Sequence, residues 1–139
     1  MAKTKVILVA GEALKKEKNF GGTTGVPGQL VANSAGEVVL AAASYADNIM
    51  VLDLSSANGF DIDGTYGEDS QVPVLYPTNG CVLNVVMDSG AATITKGDKL
   101  YWTGTGVKKV AASEPALFVA AETKTYAATD KRILVEVVK

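Results

Sequence analysis

Few residues in this sequence could carry chemistry. The chain of 139 residues contains no histidine and a single cysteine, Cys81. Histidine is the usual general base, the commonest metal ligand and the usual group that activates a cysteine nucleophile. A lone cysteine also cannot form a disulfide within its own chain. We therefore predict no catalytic residue and no enzymatic activity, and we interpret Cys81 as a small packing residue that follows a turn.

The most metal-like pattern in the chain is acidic. Asp61-x-Asp63-Gly64 is followed by Glu68 and Asp69, and carboxylates are the ligands that calcium prefers. However, the order of ligands in an EF-hand loop is absent. We interpret the segment as an exposed acidic loop, and the sequence predicts no metal site and no cofactor.

The only tryptophan, Trp102, follows Leu100 and Tyr101 within the stretch Ala92 to Val110. This stretch reads as three short strands separated by two glycine-containing turns. A tryptophan buries a large apolar area and needs an acceptor for its N–H group. We therefore predict that Leu100, Tyr101 and Trp102 anchor the core. The alternative is an exposed aromatic platform in which Tyr101, Trp102 and the loop residue Tyr66 bind a sugar.

The composition predicts an all-β fold. Glycine is frequent, with 14 residues, and aromatic residues make up only 6% of the chain, which favours short strands joined by tight turns. We expect a small β-barrel or sandwich of short antiparallel strands over residues 28–139, preceded by an extended N-terminal arm. Residues 1–27 would form a first strand, a charged arm or single helical turn over Glu12 to Lys18, and a glycine-rich loop. Pro73 predicts that the strand Gln71 to Tyr76 lies at a sheet edge, since proline cannot donate to a ladder.

Charge is unevenly distributed along the chain, although the net charge is only -2. Five lysines lie in the first twenty residues, and no further lysine or arginine occurs until Lys96. Such a mild balance argues against nonspecific nucleic-acid binding, and no apolar run is long enough to span a membrane. The apolar run Val6 to Ala10 is also too short for a signal peptide. Segregated charge suits docking between complementary protein surfaces; the alternative is that the blocks neutralise one another within the fold.

Three stretches of the chain resemble the head decoration, or capsid cement, proteins of tailed bacteriophages. ATITKGDKLYWTGTGVKKV is similar to that family's strand, Gly-Asp-x-Leu/Val-Tyr, glycine turn and strand. ALFVAAETKTYAATDKRILVEVV is similar to the apolar strand and closing V-x-V strand that follow. GVPGQLVANSAG is similar to an early Pro-Gly-x-Leu-Val segment.

The resemblance implies a structural virion protein that binds the outer surface of a phage capsid and stabilises the shell. Its partners would be the major capsid protein and further copies of itself, with a homotrimer favoured, and it would bind neither nucleic acid nor membrane. It would be made in the host cytoplasm. The competing function is a ligand-binding β module of the carbohydrate-binding type. We predict that the N-terminal arm contacts the capsid through Lys3, Lys5, Lys15, Lys16, Lys18 and Phe20.

Overall fold

The computed structural model describes residues 6–22, 24–55 and 58–139. The predicted contacts Lys3 and Lys5 lie outside the described residues. The predicted all-β class is confirmed: the described ranges form thirteen strands, and every strand pair within the sheets is antiparallel. Within these ranges, no helix has the length and apolar character needed to cross a membrane.

The strands form one large sheet and three smaller ones. The strands are β1 (Leu8–Ala10), β2 (Ala13–Asn19), β3 (Thr24–Gly25), β4 (Val31–Ser34), β5 (Glu37–Leu40), β6 (Val51–Leu52), β7 (Tyr66–Gly67), β8 (Gln71–Pro77), β9 (Val82–Val86), β10 (Lys99–Trp102), β11 (Val107–Lys109), β12 (Phe118–Ala120) and β13 (Arg132–Val137). The large sheet has the order β1-β9-β13-β12-β10-β11, and the smaller sheets are β2-β8-β6, β3-β7 and β4-β5. In the described residues, the end strands β1 and β11 form no ladder with each other, and only a single bridge joins Val107 of β11 to Met87 after β9, so the arrangement is a sandwich rather than a closed barrel.

Alternation along β13 shows how the large sheet builds the main core. Ile133, Val135 and Val137 are fully buried, whereas Leu134 and Glu136 on the opposite face are partly or largely exposed. This is the period of two expected when one face of a strand packs inward. Leu75 of β8 belongs to the same core, so the three-stranded sheet packs against the large one.

A second core lies on the other face of β8. Val72 and Val74 pack there with Val31 and Val38 of the β4-β5 hairpin. Successive side chains of a strand point to opposite faces, so β8 contributes Leu75 to the main core and its neighbours to the second core. The result is a layered β fold in which β8 is shared by the two cores.

The N-terminal segment differs from the prediction. The helical turn considered over Glu12 to Lys18 is wrong, because Ala13–Asn19 forms β2, and the charged segment is an extended strand that pairs with β8 from Ala13↔Pro77 to Asn19↔Gln71. The predicted edge position of β8 is also wrong, since it lies between β2 and β6. Pro73 is tolerated there because its carbonyl accepts the Asp53 N–H at 3.0 Å. Its nitrogen faces the Asp53 carbonyl and cannot donate to it, but that carbonyl accepts the Tyr66 hydroxyl at 2.7 Å instead, so it is not left without a partner.

Candidate interaction surface

The outer edge of β2 offers backbone groups for pairing. Pro73 directs its backbone toward β6, so the opposite residue, Glu17, forms a non-hydrogen-bonded pair with β8. The backbone N–H and C=O of Glu17, and by alternation those of Lys15, therefore point away from the sheet. In the described part of the chain, β2 is the terminal strand of its sheet, although beyond its C-terminal end Phe20 forms a parallel bridge with Val38 of β5. An edge of this kind can accept a strand from another protein.

The side chains of β2 are mostly exposed on both faces. Lys15 forms an ion pair of 2.7 Å with Asp53, so part of the segregated charge is neutralised within the fold. The Lys16 ammonium lies 5.6 Å from the centre of the Tyr76 ring. Leu14, beside them, is 59% exposed, and Lys18 is half-buried. Three of the predicted contact residues, Lys15, Lys16 and Lys18, are thus brought together on one strand.

Phe20 does not lie on this surface, and the prediction that it contacts the capsid is wrong. Its side chain is fully buried in the second core. A Cβ atom on Gly22 would lie 2.7 Å from the Phe20 ring, and one on Gly25 would lie 2.9 Å from it. The two glycines therefore allow the chain to wrap closely around the ring, which fixes the end of β2 to the core. The only local signal for this burial is the apolar side chain itself, since its neighbours are polar residues and glycines.

The aromatic residues of the possible sugar site are buried or half-buried rather than exposed. Trp102 is fully buried, and its indole N–H donates to the Ala41 carbonyl at 2.9 Å. Tyr66 is 1% exposed and its hydroxyl donates to the Asp53 carbonyl at 2.7 Å, while burial raises the pKa of this phenol. Tyr101 is half-buried, and Leu100 beside it is fully buried in the main core. Because stacking needs exposed ring faces, these residues do not form an aromatic platform.

The acidic loop directs its carboxylates toward separate partners. The Asp61 carboxylate accepts the Asp63 N–H at 3.0 Å, whereas the Asp63 carboxylate lies 3.5 Å from Nε of Arg132. Among the described residues, no three histidine, cysteine, aspartate or glutamate side chains group as metal ligands. The side chain of Cys81 is likewise used internally, as its thiol donates to the Glu12 carbonyl at 3.0 Å.

Arg132 holds the acidic loop against the large sheet. Its guanidinium is largely buried, and Nη2 donates to the Ile62 carbonyl. Burial lowers the pKa of Arg132, and the nearby Asp63 charge opposes that shift. Gly28 makes the space, since a Cβ there would lie 2.5 Å from Nη1. The sequence suggests only that Arg132 shares a strand face with Leu134 and Glu136, so the loop that covers it could not be foreseen.

Comparison with known proteins shows a similarity of fold. No protein-family model and no curated protein matches the sequence. Among solved structures, the chain is similar to the N base of the head fiber protein gp8.5 of bacteriophage phi29, with a TM-score of 0.61. The similarity covers 91% of this chain and 94% of the other, with 8% of residues identical. At this identity the match establishes a shared β architecture over nearly the full length of both chains.

Proposed function

We propose that this protein is a structural component of a bacteriophage virion that binds the outside of the head and stabilises the shell. The observation that carries the proposal is the fold match to a phage head fiber base over nearly the whole of both chains. The three sequence stretches that resemble head decoration proteins favour the same role, and this resemblance depends on residue pattern rather than on the fold.

The proposed mechanism is the addition of apolar contacts and strand pairing across joints in the shell. The outer edge of β2 supplies backbone groups near Lys15 and Glu17, and the exposed Leu14 supplies apolar area on the same strand. Binding of many copies, each bridging neighbouring shell subunits, would raise the cost of separating those subunits. The lysines of β2 favour a partner strand that carries acidic or neutral side chains.

The partners in this proposal are the major capsid protein and other copies of the chain. We propose a homotrimer on the outer capsid surface, made in the host cytoplasm and assembled without nucleic acid or membrane. The role is structural rather than catalytic, and it requires no cofactor.

The test is binding of the purified chain to expanded, undecorated heads of tailed phages. We expect saturable co-sedimentation with heads of the cognate phage and a higher melting temperature of the decorated heads. Light scattering with chromatography on the free protein reports its oligomeric state. Absence of saturable binding to every head tested would overturn the proposed function.

A pair of variants at one position tests the strand edge. Glu17→Pro removes an N–H that points away from β8, whereas Glu17→Ala keeps that N–H and removes the same charge. We expect head occupancy to fall for the proline variant alone, with both variants folded as judged by circular dichroism. Equal occupancy of the two variants would exclude strand pairing at β2 while leaving head binding itself in place.

A further inference from the structure

Phe60 is the most exposed large hydrophobic residue in the described part of the chain, with 69% of its surface open to solvent. Its backbone is left-handed, with φ of +54°, and the preceding Gly59 also has a positive φ of +71°. The Asp61 N–H donates to the Asn58 carbonyl at 3.4 Å across these two residues. Two central residues with positive φ are the mark of a type I′ turn, where glycine is usual at the second position. A phenylalanine occupies that position here.

The side chain of Phe60 is not required by the turn it occupies. Its backbone N–H donates to the Ser55 carbonyl at 2.9 Å, a bond that glycine would make equally well. Phe60 also belongs to neither hydrophobic core. A bulky residue with positive φ is a conformational outlier, and such outliers concentrate at functional positions. Because the exposed ring is kept despite the strain of a positive φ, it suggests that Phe60 contacts another molecule.

The loop that carries Phe60 is fixed by several hydrogen bonds. The side-chain amide of Asn58 donates to the carbonyls of Asp61 at 2.9 Å and Gly64 at 3.1 Å. Gly64 in turn donates its N–H to the Asp61 carbonyl at 2.8 Å, and Arg132 donates to the Ile62 carbonyl. An aromatic side chain on a fixed loop loses little conformational freedom on binding, and such residues are typical anchors of protein interfaces.

The charges around the ring define the chemistry of its partner. Asp61 and Asp63 are exposed on either side of Ile62, and no lysine or arginine occurs between Lys18 and Lys96. Arg132 donates to the Ile62 carbonyl of this loop, but only 7% of its surface is exposed to solvent. The surface is therefore an exposed apolar ring on a loop with two exposed carboxylates, and the Asp63 carboxylate also pairs with Arg132 at 3.5 Å. It complements an apolar pocket with a basic rim.

We propose that Phe60 anchors the protein to the phage shell by entering an apolar pocket of the major capsid protein that lysine or arginine side chains surround. This inference rests on the proposed function, since it names the contact through which the head is bound. It differs from the predicted lysine contacts because it assigns the anchor to the acidic loop rather than to β2.

The experiment measures head binding by Phe60→Gly and Phe60→Asn, two residues that adopt a left-handed backbone readily. We expect each variant to bind cognate heads about tenfold to a hundredfold more weakly, as for the loss of an interface anchor. The matched control is Val138→Ala, which trims another exposed hydrophobic side chain, 40% exposed, and should bind as the parent does. Asp61→Asn, which keeps the acceptor for Asp63, should weaken binding at low salt only.

The outcomes separate this inference from the function beneath it. If the parent protein fails to bind any head, the proposed function and the Phe60 anchor both fail. If the parent binds and both Phe60 variants bind equally well, the anchor alone is overturned. If the free parent forms oligomers that the Phe60 variants do not form, the ring faces a second copy, and docking into the shell is overturned. Circular dichroism melts of the two variants establish that each is folded, and two unfolded variants would show that Phe60 supports the fold and overturn the inference.

Discussion

Replacement of Trp102 by phenylalanine should destabilise the protein strongly. Trp102 ends β10 and is fully buried in the main core. Its indole N–H donates to the carbonyl of Ala41, 61 positions earlier in the chain, at 2.9 Å. The variant therefore removes apolar volume from the core and leaves the carbonyl without this donor. The two losses have separate physical origins and should add.

The expected magnitude follows from these two losses. Phenylalanine lacks roughly three of the ring atoms of tryptophan, which costs about 2 kcal/mol at ~0.8 kcal/mol per buried carbon group. A buried carbonyl left without its partner costs about 1–3 kcal/mol. The free energy of unfolding should fall by about 3–5 kcal/mol, a large fraction of the roughly 5–15 kcal/mol typical of a domain.

Urea unfolding followed by far-ultraviolet circular dichroism measures this change without relying on tryptophan fluorescence. The control is Tyr101→Phe, which removes one hydroxyl from a half-buried neighbour and should cost less than about 1 kcal/mol. Trp102 fluorescence of the parent should also resist quenching by acrylamide. A Trp102→Phe variant as stable as the parent, together with free quenching, would refute the assignment of Trp102 to the core and restore the aromatic platform.

Three further predictions concern the loops. Phe60→Gly should change the free energy of unfolding by no more than about 1 kcal/mol in thermal melts, because relief of about 1–2 kcal/mol of backbone strain offsets the chain entropy of glycine and the few contacts of the ring. Gly106→Ala should abolish stable folding, because its Cβ would lie 2.4 Å from the Asp88 nitrogen, whereas Gly67→Ala, which meets nothing within 4 Å, should be tolerated in the same melts. The hydrogen bond from Thr103, at 2.5 Å, leads the causes that lower the pKa of Asp88. The ionised Asp88 carboxylate should therefore stabilise the fold fully above the pKa that Asp88 has in the unfolded chain, and this stabilisation should disappear as pH falls through the lower pKa that it has in the folded protein. Between pH 6 and pH 2, the melting temperature should consequently fall less for Asp88→Asn than for the parent.

The sequence predicts those parts of the fold that depend on local pattern. The alternation in β13 and the glycine turns around β10 were readable because one face of each strand is buried and because Gly97 and Gly104 adopt positive φ, at +96° and +104°. The first of the three strands predicted within Ala92 to Val110 is reduced to a single bridge between Ile94 and Lys124. Local β propensity was insufficient there because no neighbouring strand pairs along the segment.

The errors share a cause, which is dependence on distant partners. β2 has the composition of a solvated arm, and only its pairing with β8, some sixty residues later, makes it a strand. Phe20 lies between a polar strand and two glycines, so its apolar side chain favours burial but nothing local assigns it to the second core. The contact between Arg132 and Ile62 joins residues 70 positions apart. Such contacts are set by the assembled fold and leave no periodic trace in the sequence.

Lysines on an edge strand can either prevent pairing with another strand or select a partner strand of opposite charge, and the exposure of β2 residues favours the second role. Exposed lysines protect a sheet edge from uncontrolled pairing with other copies. An exposed leucine does not help to prevent edge pairing, yet Leu14 is 59% exposed next to Lys15 and Lys16. The lysines of β2 would repel the same strand of a second copy, whereas Leu14 would bury apolar area against a complementary partner. Together these properties favour selective docking. The edge of β2 therefore fits a strand of complementary charge in the shell better than the β2 edge of a second copy.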